Sequence, residues 1–319
     1  MDKRTVLVTG IGGNVGQGIL RNIKASGLPI QLIGTNTISF SAGNHFCDKV
    51  YTVLPAYAPG YIEQMSSIVK EVKADLIIPS TDYEVYHLAL AKESISCSIA
   101  VSGANAASIY LDKYKSFEHH RAFNIPFADS ILPSAYKGQF KECIAKPREG
   151  RGSRGLVINP SDAAAFSDDT YVIQEFHRGQ EITSAFYVNK NGVLHGHITL
   201  SRNLEHGTTM DCEVISKYDK QVQVILESML KTIEIRGGAN LQSIVTEDGR
   251  IVPFEVNCRI SGTNSIRSQF GFKDVYYTLQ EYLYGQEPDK PNVKPGRAIR
   301  ILMDIIYPEH GDDTQSYIF

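Results

Sequence analysis

The first third of the chain alternates two hydrophobic rhythms. Residues 5–9 are a short β-branched run followed by glycines, and residues 14–26 then carry Val15, Ile19, Leu20 and Ile23 at helical spacing. Residues 29–34 read as a second strand. Ile62, Met65, Ile68, Val69 and Val72 line one face of a helix over 61–72, and Leu76, Ile77 and Ile78 form a buried strand stopped by Pro79. Strands separated by crossover helices imply a parallel sheet. Residues 1–108 therefore predict a doubly wound α/β domain.

The rhythm changes after Tyr110. Residues 141–147, 155–158 and 171–176 read as strands, with a Gly/Arg-rich loop over 149–155 and a short helix over 161–166 capped by Ser161. Asn191-Gly192 and Asp248-Gly249 mark two hairpins between alternating runs. Between them, 217–235 is amphipathic enough for one helix. This part is α+β, with a small lobe over 109–178, a larger lobe over 179–310, and a polar, loose tail over 311–319.

Composition narrows the function classes. Across 319 residues, 42% are hydrophobic and 21% charged, which excludes disordered and fibrous chains. A net charge of -3 lacks the basic excess of a nucleic-acid or anionic-membrane binder. No apolar stretch reaches the ~18–20 residues that span a bilayer, and the strand-like Val6-Leu7-Val8 leaves no room for a signal peptide. The five cysteines are scattered, with no C-x-x-C pair, so neither a disulfide framework nor a cysteine zinc site is expected. A cytoplasmic protein is expected.

Two segments have the composition of phosphate sites. Gly10-Ile11-Gly12-Gly13-Asn14-Val15-Gly16 lies between the first strand and first helix, where glycines let a backbone approach a pyrophosphate. A nicotinamide dinucleotide also needs an acid at the end of the second strand. Thr35-Asn36 stands there, so an NAD(P)-dependent oxidoreductase is the disfavoured alternative and a plain tight turn remains open. Lys146-Pro147 ends a strand beside Arg148-Glu149-Gly150-Arg151-Gly152-Ser153-Arg154-Gly155, a cationic, amide-rich loop suited to a triphosphate or, more blandly, to solvent. Farther on, Glu255, Asn257 and Arg259 share one strand face, and Gln242 stands on the partner strand. Their oxygens suit Mg²⁺. A salt-bridged strand edge would explain Glu255 with Arg259 but not Asn257 or Gln242.

In combination these pieces resemble the ATP-grasp superfamily, most closely the stand-alone ligases similar to the carbamoyl-phosphate-synthetase large chain. The motifs that carry the resemblance are Asp112-Lys113, Ile144-Ala145-Lys146-Pro147 with its glycine loop, Val172-Ile173-Gln174-Glu175-Phe176, Gly179-Gln180-Glu181, and Gln242 with Glu255-Val256-Asn257-Cys258-Arg259. The resemblance implies that Lys113, Lys146, Arg151, Gly152 and Ser153 contact ATP phosphates. It implies that Glu175 and the Phe176 backbone recognise adenine, that Glu181 holds the ribose, and that Gln242, Glu255 and Asn257 bind Mg²⁺, with Mn²⁺ as a substitute. Arg259, with Lys146 and Arg202, would be catalytic. The implied activity is ADP-forming ligation, in which ATP activates a small-molecule carboxylate as an acyl phosphate for attack by an amine. The second half that a complete carbamoyl-phosphate synthetase needs has no room in 319 residues.

The acceptor side is less legible. Arg202 and Arg267 are candidate carboxylate anchors, Ser261, Gly262 and Thr263 are candidate pocket residues, and Asp82 lies at a strand C-terminal end where doubly wound sheets bind ligands. His195 and His197 alternate on one strand face and read as a polar surface. His177 reads as structural or adenine-edge, and Cys258 as core packing. A homodimer is compatible with the sequence. A non-catalytic nucleotide-binding protein is the remaining alternative, against which Lys146, Glu255 and Asn257 are all present.

Overall fold

The computed structural model describes residues 3–150, 152, 154–307 and 317–318. Strands β1 (Arg4–Val8), β2 (Ile30–Asn36), β3 (Lys49–Thr52), β4 (Leu76–Ile78) and β5 (Ser98–Ile99) form a parallel sheet in the order β3-β2-β1-β4-β5. Alternation along β1 divides its surroundings. Leu7 faces a core shared with α2 (Tyr61–Val72), α3 (Asp82–Leu90) and α4 (Ala104–Leu111), whereas Val6 and Val8 face α1 (Asn14–Ala25). A parallel sheet must be covered on both faces. Helix α1 does not suffice, and Val275, Leu279 and Leu283 from the far end of the chain complete that side. The sheet of the first third is thus packed with help from a segment that the sequence reading assigned wholly to the large lobe.

After α5 (Lys113–Ala122), strands β6 (Ser130–Ile131), β7 (Cys143–Pro147), β8 (Val157–Ile158) and β9 (Tyr171–Glu175) form a small antiparallel sheet, ordered β6-β9-β7-β8. Strands β10 (Gln180–Val188), β11 (Leu194–Glu205), β12 (Thr208–Val214), β13 (Gly237–Val245), β14 (Ile251–Asn257) and β15 (Arg297–Ile299) form the large sheet, ordered β14-β13-β10-β11-β12-β15. Ile182, Phe186 and Leu241 turn to one face, where α6 (Asp219–Leu230) buries Val222, Ile225, Leu226 and Met229 against them. Their alternating neighbours Glu181, Thr183 and Gln242 turn to the other. Both expected hairpins are present, with Gly192 and Gly249 at φ of 80°. The architecture is the expected one: a doubly wound α/β sheet followed by a two-lobed α+β region.

Three local expectations change. The helix over 217–235 stops at Leu230, because a turn there lets Ile233 and Ile235 join the same core. The helix over 161–166 is a single 3-10 turn, Ala163–Ala165. Its cap is Asp162 rather than Ser161, the carboxylate accepting from the Ala164 amide at 2.9 Å. The tail lies outside the described residues except for Tyr317–Ile318, which pair with Ile305–Ile306. Among the described residues, no helix is long and apolar enough to cross a membrane.

Candidate active site

The site begins where α5 starts. Asp112 caps that helix by accepting from the Tyr114 amide at 2.8 Å, and it also receives the Arg148 guanidinium through Nη2 at 2.6 Å and Nε at 3.0 Å. The Lys113 amide donates to the Arg148 carbonyl at 2.9 Å. This clamp joins the start of α5 to the exit of β7 and holds Lys113 and Lys146 in one buried region. Lys146 Nζ donates to Gln174 Oε1 at 2.7 Å and lies 4.6 Å from the centroid of the Phe254 ring. Gln174 is fixed in turn by donating to Ser130 Oγ at 3.1 Å. Burial pulls the Lys146 ammonium down to about 8; Glu255 and Glu181 oppose this, and Lys113 adds to it.

Within electrostatic reach of Lys146, five polar side chains form one hydrogen-bonded row. Arg202 donates to Glu181 Oε1 through Nε at 3.1 Å and Nη2 at 2.6 Å, and Nη2 also reaches Gln242 Oε1 at 2.6 Å. Gln242 Nε2 donates to Asn257 Oδ1 at 3.2 Å, and Asn257 Nδ2 to Glu255 Oε1 at 3.1 Å. Strand register explains the row: Thr183 and Gln242 are partners, as are Gln242 and Glu255 and Asn240 and Asn257. A bulge after Gln242 leaves Phe254 without a strand partner and turns its ring toward Lys146. Burial pushes the Glu255 carboxyl up. Lys113, the Asn257 amide, Lys146 and Arg259 more than offset that and hold it below the usual range. Gln242, Glu255 and Asn257 thus bring three hard oxygen donors to one place. Among the described residues no cluster of three His, Cys, Asp or Glu side chains occurs.

Arg259 lies just beyond β14 and reaches into the first third of the chain. Its Nε and Nη2 donate to Asp82 Oδ2 at 3.0 and 2.8 Å. Asp82 is the first residue of α3, held by a capping box between Thr81 and Glu84. The two residues therefore meet at a seam between the parallel sheet and the large sheet.

Several expected site residues do other work. Arg267 is fully buried, its guanidinium held by Asp274, Ser261 Oγ at 2.9 Å and Thr263 Oγ1 at 2.8 Å. Ser261 Oγ donates onward to Asn240 Oδ1 at 3.1 Å. Arg267, Ser261 and Thr263 are thus an internal scaffold under the row, not anchors for an incoming carboxylate. Gly262 stays near the surface, where its carbonyl accepts from Arg300 Nη2 at 3.1 Å. Asn264 fastens the same loop to α1, donating to the Val15 carbonyl at 3.2 Å. Arg202 has its fork committed to Glu181 and Gln242, so it is not a free carboxylate anchor.

At the hinge, the Phe176 amide donates to the Glu142 carbonyl at 3.0 Å and the Glu175 amide to Asp129 at 2.7 Å. Both backbone donors are therefore already paired within the protein. The Glu175 carboxylate lies 3.2 Å from His177 Nε2, and both line a pocket of ≈ 680 Å³ behind the hinge, with Phe127, Val224 and Ile251. That pocket contains none of the Lys146–Glu255 cluster. Gly152 is exposed in the loop after β7, whereas Arg151 and Ser153 lie outside the described residues. His195 Nε2 bonds the Asp289 carbonyl, and Cys258 is buried against the Ala106 carbonyl. The glycine turn is filled from within by Asn36, next to Gly12, with no acid at the end of β2.

Sequence reasoning missed Arg148 as a clamp, and with it Gln174, Ser130 and Phe254. Asp112 carried a usable signal, a capping residue directly before a helical lysine. Phe254 carried none, because only the bulge turns it inward.

Residues 110–263 match the family model of the ATP-grasp domain. Among solved structures, N5-carboxyaminoimidazole synthetase from Staphylococcus aureus complexed with ADP superposes with a TM-score of 0.76 at 14% identity, over 94% of this chain and 82% of that one. The biotin carboxylase domain of 2-oxoglutarate carboxylase from Hydrogenobacter thermophilus, in complex with MgADP, ADP and bicarbonate, gives 0.72 at 14% identity over 92% and 73%. N5-carboxyaminoimidazole ribonucleotide synthetase from Thermotoga maritima gives 0.69 at 16% identity over 97% and 82%. No curated protein matches the chain in sequence. At these identities the likeness is one of fold.

Proposed function

We propose, from the match of residues 110–263 to the family model of the ATP-grasp domain, that this chain is an ADP-forming ligase that uses ATP to activate a small-molecule carboxylate for attack by an amine. The observation that carries the reading is the row Glu181–Arg202–Gln242–Asn257–Glu255, lying across from Lys113 and Lys146. Motifs spread over 147 positions, from 113 to 259, converge on one cleft, and their chemistry is that of phosphoryl transfer. Neighbours of the same fold are described as bound to ADP or MgADP, which supports a nucleotide in this cleft.

In this reading Lys113 and Lys146 bind the phosphates from two sides, held at their positions by the Asp112–Arg148 clamp and by Gln174. Glu181 binds the ribose hydroxyls. Phe254, with Ile144 on the same strand face as Lys146, gives the base an apolar floor. Gln242, Glu255 and Asn257 would hold Mg²⁺, or Mn²⁺ through the same oxygens, and their all-oxygen donor set fits such ions. The chemistry the metal supplies when bound is neutralisation of charge on the β- and γ-phosphoryl oxygens. The substrate carboxylate attacks the γ-phosphorus, giving an acyl phosphate and ADP, and the amine then displaces phosphate. Arg259, at the seam with Asp82, faces the transferred group and stabilises its developing charge. Free, unpaired cysteines suit a cytoplasmic setting, and a homodimer is part of the proposal.

Purified protein is to be screened for ADP release with pooled carboxylates and amines supplied together. Absence of any ADP-coupled turnover, combined with no thermal shift on adding MgATP, would sink the proposal.

A further inference from the structure

Arg202 occupies the acceptors that a nucleotide complex needs. One guanidinium nitrogen, Nη2, lies 2.6 Å from Glu181 Oε1 and 2.6 Å from Gln242 Oε1. Glu181 is the residue read above as the ribose ligand, and Gln242 Oε1 as a metal ligand. Arg202 is largely buried, its side chain 11% exposed, so this is a desolvated cation at the centre of the cleft and not a surface ion pair. Every entering nucleotide must therefore displace a positive charge that is already bonded. What it returns to that charge depends on its own phosphates.

We propose that Arg202 is an exchanging cation that makes the cleft select a nucleoside triphosphate over a diphosphate; the inference rests on the nucleotide reading of this site. When a triphosphate enters, the ribose and the metal take Glu181 and Gln242 from Arg202, and the γ-phosphoryl oxygens beside the row become its new acceptors. The exchange is close to balanced, because one set of charge-assisted hydrogen bonds replaces another. With a diphosphate the same two acceptors are lost and no γ-phosphoryl group replaces them, which leaves a guanidinium desolvated and unpaired. Once the γ-phosphoryl group has been transferred, Arg202 returns to Glu181 and Gln242 and competes with the ADP that remains. The row is thereby a device for both ATP selectivity and ADP release.

The two roles open to Arg202 differ in the sign of one measurement. A residue that only binds nucleotide predicts that Arg202→Met weakens ATP and ADP together. The exchanging cation predicts that Arg202→Met weakens MgATP while MgADP binds ~10-fold tighter, since its competitor for Glu181 and Gln242 is gone. Calorimetric titration of the full chain with MgADP and with a non-hydrolysable MgATP analogue reads this ratio directly. Arg202→Lys is the companion variant, because an ammonium keeps the charge but lacks the second nitrogen, Nε, that also bonds Glu181, and it should fall between the two; it serves if the methionine variant fails to fold. Parallel weakening of both ligands, or no change in either, overturns the inference and leaves the proposed function standing. A wild-type protein that binds neither ligand overturns both.

Discussion

Lys146 has an ammonium that its surroundings disfavour and that a phosphate would favour. Burial holds it at about 8 in the free protein, with only the charges of Glu255 and Glu181 opposing. The sign of the consequence follows from linkage. A lysine with a depressed value binds fewer protons in the folded than in the unfolded state between about 8 and its ordinary value, so it makes stability rise with pH there and costs stability below. A bound triphosphate reverses the local preference. MgATP binding should take up a proton near pH 8, and affinity should fall as pH rises through that point. Calorimetry in buffers of different ionisation enthalpy would read the uptake, and pH-independent binding would contradict it. Glu255 answers the same field with the opposite sign. The surrounding cations depress its carboxyl, so its stabilising contribution is present above the ordinary carboxylate range and is lost as pH falls through the depressed value. Glu255→Gln should therefore lower the Lys146 value further while removing the one anionic oxygen of the metal set. The expected result is near-native folding, no MgATP-dependent thermal shift, and turnover reduced by at least ~10²-fold, the scale of one directed electrostatic contact. Asn257→Ala should be milder and partly restored by high Mg²⁺, because water can replace a neutral ligand. Normal turnover by folded Glu255→Gln would refute the metal role.

The loop after β7 owes its position to elements on either side. Arg148 anchors its base to Asp112, so it is not one of three mutually repelling phosphate cations, as its sequence neighbourhood suggests. Farther along, the Gly152 backbone packs against Gly207 at the tip of the β11–β12 hairpin, where Gly207 has φ of 73° and a Cβ would strike the Gly152 backbone. Gly207→Ala should then cost about 1–2 kcal/mol from left-handed strain and push the loop off the hairpin. Limited proteolysis should show faster cleavage over 148–155 and less protection by a non-hydrolysable ATP analogue. Unchanged cleavage would mean that the hairpin does not support the loop. Elements with strong local signals were legible in the sequence: the bounds of α2 and β4 follow from periodicity and a terminating proline, and both hairpins from Asn-Gly and Asp-Gly. The elements that escaped are governed by tertiary packing. Helix α6 ends at Leu230 because Ile233 and Ile235 are drawn into the core. The β13–β14 bulge, which delivers Phe254 to Lys146, has no pattern of its own.

Across the whole molecule, Glu255 and Asn257 were legible as one face because strand alternation places them together, and Gln242 joins them through the β13–β14 register. Arg267 was misread for a physical reason. A guanidinium able to pair bidentately with a carboxylate suggests an anchor for a substrate, but Asp274 arrives from seven residues away to neutralise it, and only the fold brings the two together in a dry core. Asp82 and Arg259 show the converse, since they are 177 positions apart and no local pattern links them. Their pair is the polar part of a seam that Asn264 and α1 also close. Both partners are mostly buried, at 19% and 14% side-chain exposure, so removing one charge leaves the other poorly solvated. Asp82→Asn should cost about 1–3 kcal/mol, below the cost of breaking a fully buried pair because this one is partly wet. Its functional effect should be selective. Asp82 bonds Arg259 and not Lys113, Lys146, Glu181 or Glu255, so MgATP should bind with nearly unchanged affinity. The loss should fall on kcat/KM for the carboxylate substrate, because Arg259 would no longer be oriented toward the transferred group. Asp82→Glu should restore part of the activity if a carboxylate at this point is what orients Arg259. Equal loss of nucleotide affinity and turnover in Asp82→Asn would instead make the pair a fastening of the fold, with no part in placing the acceptor.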